Sequence, residues 1–442
     1  MKLLFVLPEY PPSYGGGIGS FYGALLPALI AQGHEVDLLL GSAFVHGHDG
    51  YTLDGINITV LTTERLERNL EAFEHYRMLP ELRRYLAAAW ALFEQAKDYG
   101  PYDVVEVVDW GMMFVPWVLD GLQPTIVHMH GSSGQIDFRD PSPSGALQGH
   151  MMRMLEAATL RNTTALHTHS IANQKEWASI TEQKVLNLPP PLIVGESPGN
   201  RRSGGKGLVV GRIQKWKGPT VLCEALQILG SQAPEVTWAG RDTRFGEKGS
   251  SMDEYLARTY HDVWRKKVKP IGEIAPSDVL RIQAEAGFVI VPSLWDVYNL
   301  TAVEAMGAGA VVVCSTGAGA VDLIEHGVNG FAFPADDPRA LADTIRAVMA
   351  LTAGERDAIS AAARDTVTRQ LAPEVIAKRK VRAYEKTMDA FVGRDVDEWV
   401  RAAVSPATSG DGGLAFLDYQ PLRDLLGYTG SRIVSKLGIT KR

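Results

Sequence analysis

Short runs of Val, Ile and Leu alternate along this chain with longer stretches in which apolar residues recur every three or four positions. The first pattern predicts a buried parallel strand and the second an amphipathic helix, so their alternation predicts an α/β fold on parallel sheets. In the first half, residues 3–7, 36–40, 56–61, 104–108, 125–129 and 165–168 read as strands. Residues 21–32 (ended by Gly33), 78–96, 115–119 and 151–160 read as helices. A second series follows, with strands at 208–210, 236–239, 288–291 and 311–314. Its helices fall at 220–229, 279–285, 302–306, 338–350 and 373–391. The last two open on proline, whose missing N–H costs least in a first turn.

Between the two series, residues 196–205 mix turn formers with charge and show no periodicity, which marks an interdomain linker. The predicted division is an N-terminal Rossmann-like domain over 1–198 and a C-terminal one over 206–391. A segment, 392–442, is expected to pack back on the first domain. Two such halves would hold a ligand in the cleft between them. The tail carries Arg423, Arg432, Lys436, Lys441 and Arg442 against Asp418 and Asp424. A docked helix and a weak contact with an anionic membrane surface both stay open for it.

Composition narrows the function. A chain of 442 residues suits two domains. A net charge of −7 argues against a nucleic-acid partner, because phosphate neutralisation needs a basic face. The two cysteines, Cys223 and Cys314, lie in apolar stretches, as buried free thiols of a reducing cytosol do. No metal-spaced Cys/His cluster appears in the sequence, so no metal is expected. The apolar start halts at Pro8 without a small-residue cleavage site, which favours a first strand over a signal peptide. Nothing approaches the about 18 apolar residues that span a bilayer. The expected location is cytoplasmic, at most peripheral to a membrane.

The candidate chemistry gathers where strands end. Gly211-Arg212 follows one strand and Lys217-Gly218 precedes the next helix. A guanidinium and an ammonium are thereby predicted at the carboxyl edge of the sheet, where open α/β folds bind ligands. After the strand 288–291, Asp296 lies on a loop and Glu304 eight positions later near a helix start. Glu304 there could serve the helix dipole alone, or its carboxylate could accept two ribose hydroxyls, with Asp296 facing a sugar. Residues 315–320, Ser-Thr-Gly-Ala-Gly-Ala, are small enough to let backbone approach an anion. Departure of a nucleoside diphosphate builds negative charge, which basic side chains and helix N-termini can stabilise without a metal. The one Asp-x-Asp metal motif, Asp395-Val396-Asp397, lies beyond the closing helix.

These elements resemble the retaining glycosyltransferase family 4, also called glycosyl transferases group 1, which has the GT-B fold. The resemblance rests on Gly211-Arg212, Lys217-Gly218, the acidic-x7-Glu element from Asp296 to Glu304, and residues 322–331. It is strong over about 207–334 and looser in the first domain. It implies that Arg212 and Lys217 neutralise the donor diphosphate, that Glu304 binds the ribose, and that Asn299, Leu300 and Thr301 offer backbone N–H groups to the phosphates. One position departs from the family pattern: Asp296 stands where Glu is usual.

In the first half, residues 15–19 form a glycine-rich turn that fails Gly-x-Gly-x-x-Gly, since position 22 is Tyr22. Gly16 and Gly17 either simply connect a strand to a helix or turn N–H groups to an anion; the resemblance implies the latter. His130 ends a strand, and the family has a histidine there, near the reacting sugar. His128 and His130 could also form half of a metal site, though no third ligand suggests itself. Asp109-Trp110 closes another strand as a candidate acceptor contact.

The expected enzyme transfers a sugar with retention from a UDP-, GDP- or ADP-sugar to a glycan, lipid-linked or small-molecule hydroxyl acceptor, without a cofactor. A sugar-nucleotide epimerase, or an inactive relative acting as a binding protein, is the alternative. A nicotinamide dehydrogenase fails on the glycine pattern, and a glycogen-phosphorylase-like enzyme on its cofactor lysine.

Overall fold

The computed structural model describes the chain except residues 13–15, 141–145, 196–204, 246–249, 394, 408–420 and 437–442. Most of the predicted linker, together with Gly15, Asp418, Lys441 and Arg442, therefore lies outside the described residues. The chain divides into two compact units, one of residues 1–168, 174–188 and 377–442, the other of 169–173 and 189–376. The predicted division placed 377–391 with the second series. The structure assigns it to the first unit, because the helix Pro373–Asp389 passes from one unit into the other.

The first unit holds an eight-stranded sheet. Its order runs Tyr51–Leu53, Ile56–Val60, Glu35–Leu40, Lys2–Leu7, Val104–Val108, Thr125–Met129, Ala165–Thr168, Val185–Asn187. All neighbours are parallel except Tyr51–Leu53, which forms an antiparallel hairpin with Ile56–Val60. The inner strands Val104–Val108 and Thr125–Met129 are buried at every position, as expected where helices cover both faces. From Lys2–Leu7 the chain builds outward on one side, then returns to build on the other. That reversal opens a crevice at the carboxyl ends of Lys2–Leu7 and Val104–Val108.

The second unit repeats the plan with six parallel strands, in the order Val268–Gly272, Val236–Ala239, Gly207–Val210, Phe288–Val291, Val312–Ser315, Phe331–Phe333. Alternate residues feed two cores. Val209, Ile290 and Val313 join Leu222, Leu226 and Ile345. Leu208, Val289, Val291 and Val312 join Ala302, Met306 and Val367. The reversal here falls between Gly207–Val210 and Phe288–Val291. Cys223 and Cys314 are free and fully buried, and burial pushes both thiols well up.

Several elements escape the periodicity reading. The helix Ala353–Gln370 has a capping box, Thr352 with Glu355, but little contrast between its faces. The strand Val268–Gly272 contains Pro270, which is tolerated because this is an edge strand. Within the first unit, the segment past the closing helix is tied down by backbone acceptors. Tyr76 donates to the Ala403 carbonyl at 2.6 Å and the Trp90 indole to Val404 at 2.7 Å. A helix, Leu422–Lys436, follows, and Tyr428 donates to the Met78 carbonyl at 3.0 Å. No helix among the described residues is long and apolar enough to cross a membrane.

Candidate functional site

The second unit brings its charged residues together at the topological reversal. The strand Gly207–Val210 runs out into Gly211 and the exposed Arg212. A short 3-10 turn, Lys215–Lys217, precedes the helix Pro219–Leu229. Gly218 joins the two at φ +73°, and a Cβ there would lie 1.9 Å from the Pro292 carbonyl oxygen. Only glycine lets this turn press against the exit of the neighbouring strand. The Leu294 N–H then donates to the Trp216 carbonyl at 2.8 Å, and the Trp216 and Trp295 rings lie 5.4 Å apart.

That close approach pairs the Lys217 ammonium directly with the Asp296 carboxylate. Asp296 also accepts an N–H from the Asn299 side chain at 3.0 Å. Asn299 sits at φ +75° as N-cap of the helix Leu300–Gly307, and its Oδ1 accepts the Ala302 N–H at 3.2 Å. Both ends of one amide are thus engaged, which offsets the cost of a left-handed non-glycine residue. Leu300 and Thr301 open the helix, so their N–H groups have no carbonyl one turn earlier within it. Asp296, the residue expected to face a sugar, is held by Lys217 and Asn299.

The small residues at 315–320, expected to let backbone approach an anion, lie close against the backbone of the 293–298 loop. A Cβ on Gly317 would lie 2.5 Å from the carbonyl oxygens of Ser293 and Leu294, and the Asp296 N–H donates to the Gly317 carbonyl at 2.8 Å. This contact sets the loop that carries Asp296.

Glu304 stands on the same helix and lines a cavity of about 270 Å³ with Leu192, Val194, Leu280, Arg281 and Arg364. Burial pushes its carboxyl up to about 7. The Arg364 guanidinium is committed elsewhere, donating to the carbonyls of Gly307 and Gly195, each at 2.5 Å. A half-buried acceptor lining a cavity suits a ligand that brings hydroxyl donors.

In the first unit, Gly16 and Gly17 begin the helix Gly17–Ala31. The carboxylate already at this helix start is the chain's own: Glu9 accepts the Gly19 N–H at 2.9 Å, and a Cβ on Gly16 would meet it at 2.5 Å. Gly16 therefore makes room for Glu9. His130 follows the strand Thr125–Met129, and its ring packs on Phe21, Tyr22 and His128 at centroid distances of 5.1, 5.5 and 4.6 Å.

Asp109 is fully buried, so it does not line an open acceptor surface as expected. Its two oxygens accept the N–H groups of His130 at 2.8 Å and Gly131 at 3.1 Å. Trp110 is half-buried and meets the Tyr85 ring edge-on at 5.6 Å. His128 turns Nδ1 into a buried network, 3.1 Å from Glu106 and 2.9 Å from the Lys380 ammonium. The sequence offered no sign of that network, because its members are scattered from Tyr22 to Tyr384.

Two α/β units on largely parallel sheets, with Lys217, Asp296 and a helix start at a topological reversal, have the architecture of the GT-B fold. Residues 205–350 match the family model described as glycosyl transferases group 1, and residues 16–174 match a glycosyl transferase 4-like domain. Together the matches span well over half of the chain. The chain belongs to the group 1 glycosyltransferases.

An uncharacterized glycosyltransferase of Methanocaldococcus jannaschii is 26% identical, with 89% of this chain and 100% of the relative covered. The D-inositol 3-phosphate glycosyltransferase of Jonesia denitrificans is 25% identical, over 79% of this chain and 87% of the relative. Among solved structures, sucrose-phosphate synthase from Thermosynechococcus elongatus superposes with a TM-score of 0.69 at 20% identity, over 88% of this chain and 99% of that one. Anabaena HepE in complex with UDP-glucose superposes at 0.60 and 18% identity, over 87% and 100%. These two likenesses establish the fold.

Proposed function

We propose that this glycosyltransferase transfers a hexose, with retention, from a nucleoside diphosphate sugar to a hydroxyl acceptor. The observation that carries the reading is the Lys217–Asp296 pair beside the start of the helix Leu300–Gly307. Arg212, Lys217 and the N–H groups of Leu300 and Thr301 supply positive potential where a departing diphosphate gains charge. Lys217 exchanges part of its contact with Asp296 for the diphosphate when the donor binds. Glu304 accepts the ribose hydroxyls, and Asp296, steadied by Asn299, meets the sugar.

In this reading the second unit holds the donor and the first supplies acceptor groups, with Trp110 as a stacking face and His130 near the transferred sugar. A donor contact by Gly16 and Gly17 requires Glu9 to move aside. No side chain here is assigned as a covalent nucleophile; the leaving diphosphate takes the acceptor proton on the same face, and the protein positions and neutralises. The exposed apolar residues of the helix Leu422–Lys436, in a tail with excess base, support a peripheral contact with an anionic membrane.

Melting temperatures measured with UDP, GDP, ADP and their glucose conjugates test the donor assignment. UDP-glucose is the first probe, since HepE was solved with it. One base should stabilise selectively in the wild type and fail to do so in Glu304→Ala. Equal response of the two proteins to every nucleotide would sink the reading.

A further inference from the structure

We propose that Glu156, together with Asp109, is a positioning residue that fixes the His130 loop for sugar transfer; this rests on the role given to His130 above. Neither carboxylate touches substrate in this reading, and Glu156 lies on a helix that the chemistry does not otherwise use.

The need for such a clamp arises from the backbone. The strand Thr125–Met129 stops just before His130. Gly131 turns the chain at φ +119°, and Ser132 caps the seven-residue helix Ser133–Arg139, accepting the Gln135 N–H at 3.0 Å. Residues 130–134 thus leave the sheet ladder before helical hydrogen bonds can replace it, and their N–H groups need other acceptors.

Two carboxylates meet that need from opposite ends. Asp109 takes the N–H groups of His130 and Gly131. Glu156, from the helix Ala146–Leu160, accepts the Ser132 hydroxyl at 2.6 Å and the Gly134 N–H at 3.0 Å. Both acids are fully buried. A third bond links the loop to the turn bearing Trp110: the Gly111 N–H donates to Ser133 Oγ at 3.0 Å. His130 and Trp110 therefore belong to one stitched assembly.

Packing reinforces the clamp. A Cβ on Gly134 would lie 2.6 Å from the Arg153 backbone and from Glu156 Oε2, so the short helix is pressed against the helix that carries Glu156. The His130 ring itself packs on Phe21 and Tyr22. Burying two acids is costly: burial pushes Asp109 up to about 7 and Glu156 up to about 8, against their hydrogen bonds. Caps and neutral amides could satisfy an ordinary turn without that cost. Here each acid joins two donors of the loop through its two oxygens, Asp109 at 130 and 131 and Glu156 at 132 and 134. A misplacement of about 1 Å at a reacting group can cost on the order of a hundredfold in rate.

The test compares wild type, Glu156→Ala, Glu156→Gln and His130→Ala in the full chain. Amide hydrogen exchange over 130–134 and the His130 ring resonances are read without ligand. Turnover is read with the sugar nucleotide that most raises the melting temperature. Glu156→Ala should speed exchange at least about tenfold and lower kcat roughly ten- to a hundredfold, with donor KM within about twofold. Glu156→Gln keeps an acceptor for Gly134 and should restore most of kcat. If Glu156→Ala does not fold, Ser132→Ala should show the same pattern at smaller size.

Unchanged exchange and kcat in Glu156→Ala or Ser132→Ala, with turnover lost in His130→Ala, would overturn the clamp. Full turnover in His130→Ala would instead remove the reading on which the proposal rests.

Discussion

The Lys380 ammonium lies 2.7 and 2.8 Å from the two carboxylate oxygens of Glu106, and both side chains are shut off from solvent. Tyr22 and Tyr384 each donate a hydroxyl to Glu106 at 2.7 Å. The Nδ1 atoms of His128 and His167 lie 2.9 and 3.2 Å from Lys380, where a neutral ring can accept. Burial pushes the Glu106 carboxyl up, but Lys380 above all outweighs this and holds it below its usual value. Burial draws the Lys380 ammonium down, with Glu106 opposing.

Removing one member should therefore cost far more than the pair contributes as a whole. Lys380→Met leaves an uncompensated buried carboxylate and should destabilise the chain by about 3–5 kcal/mol. Adding Glu106→Gln should recover part of that loss. Urea unfolding measures both, and a single-variant loss below about 1 kcal/mol would contradict the arrangement.

Lys217 and Asp296 should separate binding from turnover. Lys217→Ala removes charge stabilisation of the leaving group and should lower kcat by about a hundredfold or more. Asp296→Asn frees the ammonium for the diphosphate, so the nucleoside diphosphate should bind more tightly while kcat falls. Calorimetry and initial rates check the split. Weaker binding in Asp296→Asn would argue that Asp296 does not compete for Lys217.

Glu304 gives a pH signature. Its carboxyl is raised to about 7 by burial, above the unfolded value near 4.5. The folded state then holds more protons than the unfolded state between these values, so stability falls as pH rises through that window. Glu304→Gln should flatten this slope. Ribose hydroxyls favour the ionised carboxylate, so affinity for a nucleotide sugar should rise from pH 6 to 8 in wild type and stay level in the variant. The sugar nucleotide is the proper probe, because its phosphates do not titrate in that range.

The Arg212–Lys217 reading implies leaving-group stabilisation by side chains. Turnover should survive EDTA within about twofold, and Arg212→Ala should reduce it by about tenfold or more. Strict rescue by a divalent ion after chelation would count against this division of labour.

The tail offers a last test. Leu422, Leu426 and Ile433 are 74%, 68% and 54% exposed on one helix. Sedimentation with vesicles of anionic lipid should exceed that with neutral lipid, fall with salt, and be lost in Leu422→Ser with Leu426→Ser. Equal recovery with both vesicle types would exclude an electrostatic contact.

Much of the fold was legible because a strand covered on both faces is a continuous apolar run, as in Val104–Val108 and Phe288–Val291. The position of the charged residues was legible for a related reason: Arg212, Lys217 and Asp296 follow such runs, and ligands of open sheets bind at strand ends. Ala353–Gln370 was missed because its polar and apolar residues mix around the helix.

The sequence by itself determined the two α/β series, the strand-end position of the charged residues and the family they resemble, since these depend on local pattern and spacing. Only the tertiary structure decided which groups meet. It set Lys217 on Asp296 across 79 positions and Lys380 on Glu106 across 274. It also turned Asp109 from a candidate surface contact into a buried acceptor behind His130. The physical reason is that a charge finds its partner through sheet order and close packing, as at Gly218 against Pro292, and neither leaves a periodic trace along the chain.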